Sequence, residues 1–238
     1  MLKRIIFVSI ISLLMSPNLF CEDFKLELQI GYASFGMNTL KNLNQTFIET
    51  SPFKSQVVDD FPMYLNYQLN MLFPVETIDF GFGFGYVSCG SRVGYSDYSG
   101  VYNYDQLVDA VNIAGLFGFD VFNINKLKLK LMFEAGYLFS DLELKEYIKI
   151  ADTSISSSNS FNAEGFYFKP GIKLDYNFYN SFTFGANISY FIDLEPNFHL
   201  PNNSDAYLYN QKTHEKISPE WNGVRFGLFL SYYFKSKK

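Results

Sequence analysis

Apolar and polar residues alternate with a period of two through most of this chain, and the last such stretch is the plainest. Val224, Phe226, Leu228, Leu230, Tyr232 and Phe234 are large and apolar, whereas Arg225, Gly227, Phe229, Ser231 and Tyr233 between them are mixed. Successive side chains of a β-strand point to opposite faces, so the pattern predicts a strand with one wholly apolar face. The same alternation predicts a strand at Phe24–Gly36, a second at Met63–Phe73 ended by Pro74, and a third from Ile78 to Tyr86. A fourth ends near Phe122, a fifth covers Leu127–Phe139, a sixth Phe166–Phe178 and a seventh Phe182–Asp193. The Val224–Phe234 stretch is the eighth.

Three places break the pattern. Beyond Phe139 the apolar positions change parity to Leu142, Leu144, Ile148 and Ile150, which calls for a bulge or for a hairpin standing above the rest. Pro170 has no N–H to give to a ladder, so it costs one bond in a closed sheet. Met37–Asp60 carries Leu40, Leu43, Phe47 and Ile48 at helical spacing, which predicts a short helix capped by Asn38 and packed on its own sheet.

The connections alternate between long and short. Met37–Asp60, the tyrosine- and glycine-rich Arg92–Asp105, the serine-rich Ala151–Asn162 and the proline-bearing Leu194–Gly223 read as long loops, the serine run as a mobile one. The residues after Pro74, Asn123–Asn125 and Tyr179–Asn180 make short turns. Short turns on one side and long loops on the other mark barrels that cross an outer membrane. The fold class this predicts is all-β, an eight-stranded antiparallel up-and-down transmembrane β-barrel with short periplasmic turns and long extracellular loops. A soluble lipocalin-like carrier in the periplasm is the alternative, with its apolar face turned inward. Aromatics form 19% of the chain, with 27 Phe and 18 Tyr, and an inward face so bulky would overfill eight strands. Lipid would face those rings, and in lipid a sheet must close because every backbone polar group needs a partner.

Composition adds a compartment. Lys3 and Arg4 precede an apolar run, Ile5–Met15, too short to span a bilayer, so residues 1–21 read as a cleaved signal peptide and 22–238 as the barrel domain. A retained anchor and lipidation of Cys21 are the alternatives, the latter disfavoured by the bulky Phe20 before it. Export places the chain in the bacterial outer membrane. Losing the leader makes the formal charge of −5 more negative by two, which leaves no basic excess for a nucleic acid.

The polar face holds the candidate chemistry. Lys25, Lys128, Lys130, Lys169, Lys173 and Arg225 stand against Glu27, Asp79, Asp120, Glu134, Asp175 and Asp193, as many of one sign as of the other. Buried charges are costly unless paired, so these predict a charge network filling the lumen, with a narrow pore for small solutes as the alternative. No cofactor motif is present: Gly81-Phe82-Gly83-Phe84-Gly85 lacks the helix start and the Lys of a phosphate loop. His199 and His214 lie in the last loop near Ser204, Asp205 and Glu215, with no helical metal spacing and no cysteine beside them. A catalytic base needs a rigid support, so no catalytic or metal residue is assigned, and a lipid A-modifying enzyme is the remaining alternative.

The final strand resembles the assembly signal of bacterial outer-membrane proteins, through Arg225, Gly227, Leu230, Tyr232 and the terminal aromatic Phe234, although Lys235–Lys238 follow. With the leader and eight strands, the chain resembles the small OmpA/OmpX-type outer membrane β-barrel families. That resemblance implies insertion by the barrel-assembly machinery and contact with outer-membrane lipid, and no particular activity. The functional expectation is a non-enzymatic structural or surface-interaction role through the extracellular loops. The tyrosines Tyr95, Tyr98, Tyr102 and Tyr104 are the candidate contact surface for an extracellular ligand or host protein.

Overall fold

In the computed structural model, residues 23–51, 54–179, 181–194 and 196–235 are described. Residues 1–22, with the expected leader and Cys21, Asn180 of the last short turn and the final Ser236–Lys238 lie outside the described residues. The chain runs β1 (Phe24–Ala33), α1 (Asn38–Thr50), β2 (Gln56–Asp60), β3 (Tyr64–Val75), β4 (Ile78–Asp97), β5 (Gly100–Ile124) and β6 (Leu127–Ile150). It continues as β7 (Thr153–Tyr179), β8 (Phe182–Asp193), β9 (His199–Leu200), β10 (Asn203–Tyr207) and β11 (Gly223–Phe234).

Antiparallel pairing joins β1, β3, β4, β5, β6, β7, β8 and β11 in a ring, which β11 closes by pairing with β1 from Phe24↔Phe234 to Ala33↔Arg225. The fold is the eight-stranded barrel that the alternation predicts. Its outer surface is a belt of exposed apolar side chains, among them Leu28, Phe82, Phe117, Phe133, Phe166, Phe184 and Phe226. Aromatics edge the belt at the periplasmic rim, where Tyr232 packs edge-on against Phe182 and Phe234. At the opposite rim Tyr86 donates to Asp109 and Tyr137 approaches Phe166 edge-on. Such girdles mark the two interfaces of a bilayer.

Several boundaries differ from the sequence pattern. β3 continues through Pro74 to Val75, because the turn is only Glu76–Thr77. Arg92–Asp105 is no loop: β4 and β5 pair without a break from Ile78↔Phe119 to Asp97↔Gly100, and the turn is Tyr98–Ser99. Ala151–Asn162 is no loop either, since β7 starts at Thr153 and pairs with β6 residue by residue. These hairpins rise above the apolar belt, so lipid no longer dictates their composition and their polar sequence hides the strands. The parity switch at Phe139 has the same origin. β6 keeps its register with both neighbours there, with no bulge. Leu138, Ser140 and Leu142 point inward on the same face as Lys130 and Glu134 below them. What changes is the surroundings: outside, lipid gives way to water, and inside, ionic packing gives way to an apolar core.

Pro170 sits where its chemistry predicts a missing bond. The ladder to β6 runs through Phe133↔Pro170, while the ladder to β8 skips from Phe168↔Ile192 to Gly171↔Ser189. No bulge is needed. In α1 the expected cap is corrected: Asn38 is the first helical residue, and the preceding Met37 takes a left-handed φ of 50° with no side-chain bond. The first amides are satisfied from a distance instead, Asn38 N and Thr39 N donating to the Glu220 carboxylate at 2.8 and 3.2 Å. A carboxylate there also complements the helix dipole.

Candidate functional site: a two-storey interior and its cap

Inside the periplasmic half of the barrel the packing is ionic. Lys130 pairs with Asp79 and lies 3.0 Å from Asp120, which also meets Lys128 at 3.4 Å. One level up, Lys25 bonds Asp175 at 3.1 Å and lies 3.6 Å from Glu27, while Lys173 pairs with Glu27 and lies 3.8 Å from Asp175. The Lys173 ammonium also sits 4.1 Å from the centre of the Phe229 ring. Higher still, Glu134 meets Lys169 at 2.5 Å and accepts from Gln68 at 2.8 Å and from Tyr167. Gly83 makes this density possible, since a Cβ there would lie 2.8 Å from Asn70 Oδ1 and 3.1 Å from Gln68 Nε2.

Ten of the twelve ionisable residues singled out by parity thus meet in one connected lattice. Asp193 and Arg225 lie above it, against the backbone of Trp221. Asp193 accepts from Trp221 N at 3.2 Å, and Arg225 donates to Trp221 O at 3.1 Å. The guanidinium lies 4.7 Å from the Phe191 ring centre and 5.0 Å from that of Phe35. It forms the floor of a second, apolar storey. Of the β11 positions expected to form an assembly signal, Arg225 therefore faces inward, as does Gly227, whose missing side chain clears Gln29 and Asn187. Leu230, Tyr232 and Phe234 face outward into the belt.

The apolar storey holds Phe35, Met37, Leu40, Leu138, Leu142, Tyr167, Phe198, Ile217 and Trp221. Its polar atoms are matched: the Trp221 indole N–H donates to Ser140 Oγ at 2.8 Å, and the Tyr167 hydroxyl donates down to Glu134 and accepts from Asn112 at 2.6 Å. α1 closes the top. Asn44, buried on its inner face, donates to Ser91 Oγ and accepts from Gln106, both at 2.8 Å. Phe47 stacks on Tyr104 at 4.6 Å and Tyr102 at 5.6 Å. The helix thus packs on its own barrel, and the last loop is fastened to it by Asn210 Nδ2 to Thr46 Oγ1 at 3.0 Å and by Lys212 to Glu49.

The proposed tyrosine contact surface is corrected by these contacts. Tyr102 and Tyr104 are buried core residues, and burial pushes the Tyr104 phenol up to about 12 and raises that of Tyr102 as well. Tyr98 alone is fully exposed, at the hairpin tip. Below it, Asp97 accepts from Tyr95 Oη, Ser99 Oγ, Ser99 N and Gly100 N at 2.6–3.1 Å. Those bonds favour the ionised form, led by the Ser99 hydroxyl, and hold Asp97 at about 2 against an ordinary 3.8. A depressed carboxylate stabilises the fold above its unfolded value and loses that contribution as pH falls through the folded one. Amide-exchange protection at Ser99 and Gly100 is therefore expected to persist at pH 4 and to fade as the pH approaches about 2. Asp97→Asn would remove the pH dependence.

The histidines do not assemble a centre. His199 Nδ1 lies 3.0 Å from Leu200 O, and the His214 amide donates to Asn210 O at 2.9 Å. Among the described residues no group of three or more His, Cys, Asp or Glu is placed to hold a metal. The cavities follow the two storeys. A vestibule of about 920 Å³ opens at the periplasmic mouth beside Asp79, Lys128 and Lys130. Above it lie cavities of only about 30 Å³, beside Glu27 and Lys173, and about 20 Å³, beside Arg225. Each has room for about one water molecule.

No family model matches the chain, and no curated protein matches it. Among solved structures, the chain is similar to a major outer membrane protein of Thermus thermophilus, with a TM-score of 0.50 and 9% identity over 89% of this chain and 99% of that one. OprG of Pseudomonas aeruginosa gives a TM-score of 0.47 at 10% identity, over 91% of this chain and 97% of that one. Ail of Yersinia pestis gives 0.36 at 14% identity, over 88% and 98%. At such identities the Thermus likeness speaks to the fold. Together with the apolar belt, it gives this chain the fold of the small outer-membrane β-barrels.

Proposed function

We propose that this outer-membrane barrel is a non-enzymatic scaffold with a closed lumen, acting through the structured cap it holds above the membrane. The observation that carries the reading is the filled interior: paired charges below, an apolar core above, and water-sized spaces beside Glu27 and Arg225 where a passage would have to run. Charges paired this closely leave no free lining for passing solutes. The long β4–β5 and β6–β7 hairpins extend the structure outward, which favours a surface role over transport. The two imidazoles lack the rigidly held acid and nucleophile that lipid modification needs. Insertion by the barrel-assembly machinery through β11, with Arg225 and Gly227 inward and Leu230, Tyr232 and Phe234 outward, completes the reading, as does outer-membrane lipid around the belt.

Planar-bilayer recording tests it. Purified, folded protein is expected to add no unitary conductance steps at either polarity. Stable steps from the wild-type barrel would replace the closed scaffold with the narrow pore.

A further inference from the structure

Among the described charges of the interior, Arg225 is left without a counter-charge at contact distance. It is 3% exposed, and the five lysines and five carboxylates of the lattice below already balance one another. Asp193, of the opposite sign, bonds the Trp221 amide. No carboxylate of the described residues comes within 4.0 Å of the guanidinium. Its Nη2 donates to Trp221 O at 3.1 Å, the Phe35 and Phe191 rings lie against it, and Nε donates to nothing among the described residues. Ring faces attract a cation but give its in-plane N–H groups no acceptor. A charge so far from water is costly unless it is paired and hydrogen-bonded.

The space beside it suits a small guest. Arg225 lines the cavity of about 20 Å³ together with Asn66, Gln68, Asn112 and Lys169. Gln68, Asn112 and Lys169 are committed to Glu134, whose charge Lys169 neutralises at 2.5 Å. Asn66 Oδ1, like Arg225 Nε, is buried and has no partner among the described residues. A water molecule would bond both groups and leave the guanidinium charge where it was. An anion would bond Nε and cancel the charge, with the Asn66 amide turned over to offer its N–H groups. The size of the cavity then fixes the class of anion. Phosphate, sulfate and carboxylates are too large for a space that holds about one water molecule, and a monatomic ion is not.

We propose that this cavity binds a monatomic anion, chloride in the protein's normal surroundings, between Arg225 Nε and the Asn66 amide. The ion joins β11 to β3 across β1, the strand between them, at the level where the ionic storey meets the apolar one. It binds the folded state alone, because only the closed ring brings Arg225 and Asn66 together. The site is independent of conductance, so the closed scaffold and this ion can fail separately.

Full-length protein folded, purified and crystallised in sodium bromide gives the direct test, since anomalous scattering locates bromide. A peak at hydrogen-bond distance from Arg225 Nε is expected; a water molecule there without anomalous signal overturns the proposal. Urea unfolding in a nonionic detergent, followed by the fluorescence of the chain's single tryptophan, gives the test in solution. At constant ionic strength, replacing sodium gluconate by sodium chloride should raise the midpoint until the site saturates, because screening is unchanged and gluconate is too large to enter. Asn66→Leu fills the cavity from β3 and keeps the guanidinium, so the folded variant should lose that rise. A wild-type midpoint indifferent to chloride, or an equal rise in Asn66→Leu, overturns the proposal. Should Asn66→Leu fail to fold, the bromide position decides alone.

Discussion

Replacing Lys173 by methionine is expected to destabilise the barrel by about 3–5 kcal/mol, the usual cost of removing one member of a buried ion pair. Lys173 is fully buried and shared between Glu27 and Asp175. Methionine fills much of the same space and keeps a contact with the Phe229 ring, so the loss is chiefly electrostatic. Glu27 would retain Lys25 at 3.6 Å and a hydrogen bond from Asn70 at 3.1 Å, too little for a carboxylate so far from water. The measurement is the urea concentration or temperature at which the folded band disappears in the heat-dependent gel shift.

The second substitution in the same pair gives the sharper test. Lys173→Met/Glu27→Gln removes one charge of each sign and leaves the Lys25–Asp175 pair at 3.1 Å in place. Replacing both members of a buried pair by neutral groups of similar volume is often close to neutral. The double variant should therefore recover more than half of the single variant's loss. If it is as unstable as Lys173→Met alone, the pair matters for its shape and the charge argument fails.

These residues were legible in the sequence because parity alone puts them on one face. Their partners were not. Lys173 of β7 meets Glu27 of β1 and Lys130 of β6 meets Asp79 of β4, none of them on neighbouring strands, and those meetings depend on strand order and shear, which no local pattern encodes. The same limit explains Asp193 and Arg225. They share the parity of the network but stand one storey higher, where the Trp221 backbone and two aromatic rings surround them. The strands within the membrane were readable because lipid enforces a strict apolar face on each. Above the membrane that constraint lapses. The serines of β7 are held in a strand by β6 rather than by any propensity of their own, and Tyr102 and Tyr104 look like a contact surface until α1 lays Phe47 over them. The helix itself showed through its Leu40–Leu43–Phe47 spacing. Its cap, Glu220, comes from the far end of the chain and left no local signal.

Trp221→Ala tests whether the upper storey is a separate cooperative unit. The indole is fully buried, meets the Phe35 ring edge-on at 5.3 Å and donates to Ser140. Truncating a buried tryptophan to alanine costs ~3–5 kcal/mol, from lost transfer energy and the cavity left behind. The loss should fall on the cap, because the ionic storey below makes its contacts among strands of the ring. The folded band of the gel shift is expected to survive, while the amides of α1 and of the loop between β8 and β11 lose exchange protection together. Trp221→Phe keeps most of the ring packing and gives up the bond to Ser140, so it should cost about 1 kcal/mol, one hydrogen bond's net contribution. The joint loss follows from geometry: the loop that carries Trp221 also supplies Glu220 to the helix N-terminus and Asn210 and Lys212 to its far half. If the alanine variant instead lowers the stability of the whole ring and leaves α1 as protected as before, the two storeys are one folding unit, and the cap is no more than the barrel's own core continued upward.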